Sequence, residues 1–109
     1  MEAYFYNAEC IRVIDGDTAE VNLDVGFNFS TKQKIRFLGV NTPERHQVGY
    51  SEATNYTTQK ILGKSLLIRT VEKDSFGRWL ADVYYHDDGE FRSLNNELLE
   101  KGLAIKFMK

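Results

Sequence analysis

Over much of the N-terminal third, apolar and polar residues alternate with the two-residue period of a half-buried strand. The pattern is cleanest where Ala19, Val21, Leu23 and Val25 share one face and Thr18, Glu20, Asn22 and Asp24 the other. Tyr4 to Ile14, aromatic and β-branched with polar interruptions, predicts a preceding strand. Asp15-Gly16 predicts the tight hairpin turn between them, with glycine taking the positive φ that such turns demand. After a longer connection at Gly26 to Thr31, a third strand runs from Lys32 to Val40. It sets Ile35 and Phe37 on one side and Arg36, Leu38 and Val40 on the other, so a cation shares a face with apolar residues. Asn41 to Gly49 is a loop, fixed where Pro43 forces Thr42 out of the helical region.

Downstream the period changes to that of a helix. Ser51 is a candidate cap, and Ala53, Tyr56, Thr57, Lys60 and Ile61 recur at helical spacing before Gly63 ends the segment. Ser65 to Val71 and Trp79 to His86 predict two more strands around the polar turn at 73–78. A turn at His86 to Glu90 leads to Ser93, which predicts a cap for a second helix carrying Leu94, Leu98 and Leu99 before Gly102. Three strands, a helix, two strands and a helix is a mainly β, α+β order. It predicts a small closed five-stranded barrel of the OB-fold type, with a helix after strand three and a C-terminal helix, in a single domain over 1–109.

Composition narrows the class. Hydrophobic content of 42% with 28% charged residues is that of a globular chain. A net charge of −2 argues against a protein that coats nucleic acid through a strongly basic surface, while leaving room for a focused cationic cleft. The single cysteine, Cys10, excludes an internal disulfide and is expected in the core. With neither a leader-like segment nor a membrane-length apolar run, the expected location is cytoplasmic, export remaining open for a trimmed chain.

Three polar clusters carry candidate chemistry: Asp15 with Asp17, Arg36 with Asn41, Thr42 and Glu44, and Asp74 with Arg78. Singly, each reads as an ordinary hairpin, ion pair or turn. In a five-stranded barrel, however, the start of strand two, the end of strand three and the turn between strands four and five can adjoin. His46 and His86 lie in or beside turns with no partner at metal-ligand spacing and are expected to be solvated or structural. Tyr4, Phe5 and Tyr6 are expected in the barrel core, with base stacking as the alternative, and Trp79 is expected there too.

VIDGDT at Val13 to Thr18, IRFLGVNTPE at Ile35 to Glu44, FGRWLADVYY at Phe76 to Tyr85 and LNNELLEKGLA at Leu94 to Ala104 resemble, in order, the signatures of the staphylococcal nuclease-like (thermonuclease) family. The resemblance implies a Ca2+-dependent phosphodiesterase cutting DNA and RNA with little sequence preference. It implies metal ligation at Asp17, Asn41 and the Thr42 carbonyl, a general base or water-positioning group at Glu44, and phosphate binding by Arg36 and Arg78. The residue chemistry suits those roles, because calcium accepts irregular sets of oxygen donors and arginine meets two phosphate oxygens at once.

The sequence also departs from the family pattern. Asn41 stands where better-known members carry aspartate, which predicts weakened metal binding. Ser75 and Phe76 replace a lysine and a tyrosine, removing two substrate contacts. The chain ends at Lys109, and Phe107 and Met108 fall near a region that in longer relatives contacts the nucleotide. A monomer or weak homodimer is expected. The alternatives to an enzyme are a non-catalytic barrel binding nucleic acid or protein, and an accessory scaffold.

Overall fold

In the computed structural model, which describes residues 4–107, the chain forms a closed five-stranded barrel with two helices. The long strands β1 (Tyr4–Asp15), β2 (Thr18–Gly26) and β3 (Phe29–Phe37) form an antiparallel meander. After the two-residue β4 (Val40–Asn41) and α1 (Tyr50–Ile61), β5 (Ser65–Lys73) returns to pair with β1, and β6 (Trp79–Asp87) pairs with β5. Parallel pairing of Ile35, Arg36 and Phe37 with Trp79, Leu80 and Ala81 closes the ring. β7 (Glu90–Ser93), α2 (Leu94–Glu100) and β8 (Ile105–Lys106) complete the described chain.

The two-residue period fills the barrel. Cys10, Ala19, Val21, Ile35, Phe37, Ile68, Ala81 and Val83 are almost wholly buried in one core. Burial also pushes the Cys10 thiol up to about 11, so it is packing rather than chemistry that this cysteine contributes. Helix α1 buries Ala53, Thr57 and Ile61, the face expected from its spacing, and α2 buries Leu94 and Leu98. Asn95 works as a polar staple. Its Oδ1 accepts the Val83 N–H at 3.0 Å and its amide donates to the carbonyls of Leu38 at 2.9 Å and Ala81 at 3.1 Å. It thereby ties the end of β3 to β6 without leaving a buried polar atom unpaired.

Several boundaries differ from the sequence expectation, each for a local reason. The connection at Gly26 to Thr31 is instead a two-residue turn, because Phe27 and Asn28 adopt φ of 54° and 63° and let β3 start at Phe29. Strand three ends at Phe37 because Gly39, at φ 77°, turns the chain before β4. Gly49, not Ser51, is the N-cap residue of α1. The chain after His86 forms a hairpin with β7, and β8 pairs Val40 with Lys106 and Asn41 with Ile105. Ser93 does cap α2, accepting the Asn96 N–H at 3.1 Å. Tyr4 and Phe5 are exposed rather than core, Tyr6 and Trp79 are only half-buried, and Val25 is exposed, because these strand ends project past the packed layer. His46 and His86 are exposed. Among the described residues no helix is long and apolar enough to cross a membrane. Met108 lies outside the described residues.

Gly16 is a further correction. It is not among the glycines at positive φ; what matters is its missing side chain, since an added Cβ would lie 2.8 Å from Ala53 Cβ and 3.1 Å from Thr42 Cγ2. Helix α1 rests directly on this turn, and Thr57 Oγ1 donates to the Gly16 carbonyl at 2.7 Å. Gly16→Ala is therefore expected to lower stability by about 1–3 kcal/mol through overpacking, read as a shifted urea midpoint at constant slope.

Candidate active site

Asp17 is the first residue of the site, and the hairpin turn presents it. Its Oδ2 accepts the Thr42 N–H at 3.0 Å and lies 3.4 Å from Arg36 Nη2, while Thr18 Oγ1 donates to its Oδ1 at 2.9 Å. On β3, Arg36 is 9% exposed and satisfies its charge against backbone as well as carboxylate. Nη1 donates to the carbonyls of Phe37 at 3.0 Å and Val40 at 2.7 Å, and Nη2 donates to Asn41 Oδ1 at 3.1 Å. One guanidinium thus gathers the β1–β2 turn, β3 and β4. Burial pulls Arg36 below the usual arginine value, Asp17 opposes that shift, and the charge of Arg78 adds to it. Two cations facing the same space repel, which favours an anion between them.

Arg78 enters from the turn before β6. Its Nε donates to Asp74 Oδ2 at 2.9 Å and its Nη2 lies 2.8 Å from the same oxygen, while its N–H donates to Asp74 Oδ1 at 2.9 Å. None of these bonds uses Nη1. Glu44 is exposed on the loop after Pro43, a loop held by the Glu44 N–H donating to Gln47 Oε1 at 2.7 Å. Asp15 accepts the Tyr50 hydroxyl at 3.0 Å.

A single cavity of about 470 Å³ is lined by Asp17, Arg36, Asn41, Thr42, Glu44 and Arg78, every site residue expected from the sequence. Asp15, Thr18 and Arg45 share its wall. Beside it, a more apolar cavity of about 410 Å³ also touches Arg36 and Arg78 and is lined by Phe76 and Phe107. Sequence reasoning did not single out Thr18, Arg45 or the positioning residues Tyr50 and Thr57. Thr18 and Arg45 are the direct neighbours of Asp17 and Glu44, a proximity that could have flagged them. Phe107 takes a definite place, its N–H donating to the Gly39 carbonyl at 2.9 Å and its ring 5.7 Å from the Arg36 guanidinium.

The family profile described as staphylococcal nuclease homologue matches residues 34–109. The chain belongs to that family. The matched segment holds five of the six residues above, Asp17 joining them through the fold. An uncharacterized protein of Methanocaldococcus jannaschii is 28% identical, over 91% of this chain and 58% of that protein. A probable endonuclease LCL3 of Nakaseomyces delphensis is 34% identical over 67% of this chain, and one of Saccharomyces cerevisiae is 32% identical over the same share. The chain spans 58% of the length of the first relative and only 31% of the second.

The site offers only hard oxygen donors toward a metal, namely the Asp17 carboxylate, the Asn41 amide oxygen and the oxygens of Thr42. Thr42 Oγ1 is buried without a hydrogen-bond partner, an oxygen with spare capacity. This set fits calcium or magnesium and not a thiophilic metal. It is poor in charge: among the described residues no three His, Cys, Asp or Glu side chains are grouped to hold an ion.

Asp74 supports Arg78 in a pH-dependent way. Burial alone would raise its carboxyl, but the N–H, guanidinium and charge of Arg78 and the Phe76 N–H outweigh that and hold it below the usual carboxylate range. A carboxyl depressed in the folded state contributes stability above its unfolded value of about 3.9, and this is lost as pH falls through the folded value. The stability gap between the unaltered chain and Asp74→Asn, measured by urea unfolding, is expected to be full at pH 5–7 and to close below about pH 4.

Proposed function

We propose that the chain is a calcium-dependent nuclease that hydrolyses phosphodiester bonds in DNA or RNA with little sequence preference. The observation that carries this reading is the convergence of Asp17, Arg36, Asn41, Thr42, Glu44 and Arg78 on one cavity, two arginines among them. Asp17, Asn41 and Thr42 would hold the cation. Bound there, calcium supplies Lewis-acid polarisation of a phosphoryl oxygen and acidifies water.

The side chains do the rest. Arg78, held by Asp74 through Nε and Nη2, offers Nη1 to a phosphate oxygen. Arg36, already committed to four oxygens, neutralises the phosphate chiefly as a fixed charge. Glu44 takes the proton of the attacking water as the new P–O bond forms, and the ester oxygen leaves with a proton from solvent. Lack of sequence preference follows from a site built for phosphate, since phosphate contacts carry no base information.

A binding module without catalysis is favoured by one observation, the mutual compensation of Arg36 with Asp17 and of Arg78 with Asp74. Supercoiled and single-stranded DNA incubated in calcium, in magnesium and in chelator separates the readings. The nuclease reading expects calcium-dependent cutting that falls by about 10²–10³ in Arg78→Ala and by about 10²–10⁴ in Glu44→Gln. Binding without cutting would support the module, and cutting that survives in both variants would place the chemistry elsewhere. Asn41→Asp adds a negative ligand, so its calcium affinity by calorimetry is expected to rise; an unchanged affinity would remove Asn41 from the metal site.

A further inference from the structure

The exposure of Tyr4 and Phe5 leaves an aromatic stretch that the nuclease site does not use. At the end of the barrel away from the Asp15–Asp17 turn, Tyr4, Tyr6, Val25, Gln33 and Trp79 line a separate, mainly apolar cavity of about 330 Å³. Lys73 stands over the Trp79 ring at 5.8 Å. The mouth thus combines aromatic surface with an exposed cation and with a polar group, Gln33, whose amide donates to Thr31 Oγ1 at 3.0 Å.

We propose that this barrel mouth is an accessory site for the unpaired bases of a single-stranded nucleic acid whose phosphate backbone lies at Arg36 and Arg78. The inference rests on the nuclease reading and extends it. Continuity with the site supports nucleic acid as the occupant. Trp79 directly follows Arg78, Lys73 directly precedes Asp74, and Gln33 is three residues from Arg36, about 10 Å of strand. A chain bound at the arginines can pass over the β5–β6 turn, its bases stacking on tyrosine or tryptophan and its phosphate meeting Lys73. Such platforms tolerate any sequence, because every base has a π-face. A duplex has no unpaired base to offer the mouth, so the site favours single strands.

Trp79 is the only tryptophan, so its emission reports on the mouth alone. In chelator, where calcium-dependent cutting is absent, the protein is titrated with a thymidine dinucleotide and with a ten-residue oligothymidylate. Tryptophan emission and the anisotropy of a labelled oligonucleotide are both read. The ten-mer is expected to quench Trp79 saturably and to bind tighter than the dinucleotide by at least about five-fold beyond the roughly nine-fold advantage of its overlapping registers, the low end of what stacking one base is worth. In Tyr4→Ala and Lys73→Ala the ratio is expected to fall toward that statistical factor. Both side chains are exposed, so neither substitution empties the core. A rise in anisotropy with no response of Trp79, or a ratio that survives both substitutions, overturns the mouth while leaving the nuclease reading intact. No binding of either oligonucleotide in chelator, with calcium-dependent cutting of DNA intact, overturns the mouth and leaves the nuclease reading standing. Quenching by a trimethyl-lysine peptide but not by the ten-mer assigns the mouth to a protein partner and overturns the proposal.

Discussion

The buried guanidinium of Arg36 is the interaction on which the site depends. A charge this far from water must be paired and hydrogen-bonded, and Arg36 reaches Asp17, two backbone carbonyls and Asn41 at once. Removing Asp17 would leave the cation uncompensated, a loss that typically costs about 3–5 kcal/mol. The same contacts set the positions of Asp17 and Asn41 relative to each other. Stability and the shape of the candidate metal site therefore have one cause.

Around that cation the scaffold fixes each contributing segment from behind. Helix α1 holds the Asp15–Asp17 turn through Thr57 and Tyr50, and packs so closely that residue 16 has no room for a side chain. Asn95 of α2 holds the end of β3, and β8 pairs with β4 across Asn41. Asp74 fixes Arg78. Glu44 instead stands exposed on a loop held through Gln47, as suits a candidate that would meet water and substrate.

Much of the fold was legible in the sequence, because alternation from Ala19 to Leu23 and the helical spacing from Ala53 to Ile61 report burial directly. The motifs named six residues that the fold brings around one cavity. Features set by tertiary contact were not legible. Phe27 and Asn28 make a tight turn without the usual glycine pair, so the start of β3 was missed. Two-residue strands such as β4 and β8 have no period to read and exist only because the C-terminal segment returns to Asn41. Tyr4 and Phe5 have the composition of core strand, but only the barrel's length shows that they project beyond it.

The central claim is that Asp17, Asn41 and Thr42 form a calcium site next to paired arginines. Amide NMR of the uncut chain during calcium titration tests it directly, since the Thr42 N–H already donates to Asp17. The account predicts saturable shifts centred on Asp17, Asn41 and Thr42. It would be contradicted by silence at these amides, or by shifts confined to the exposed acidic hairpin from Asp87 to Glu90.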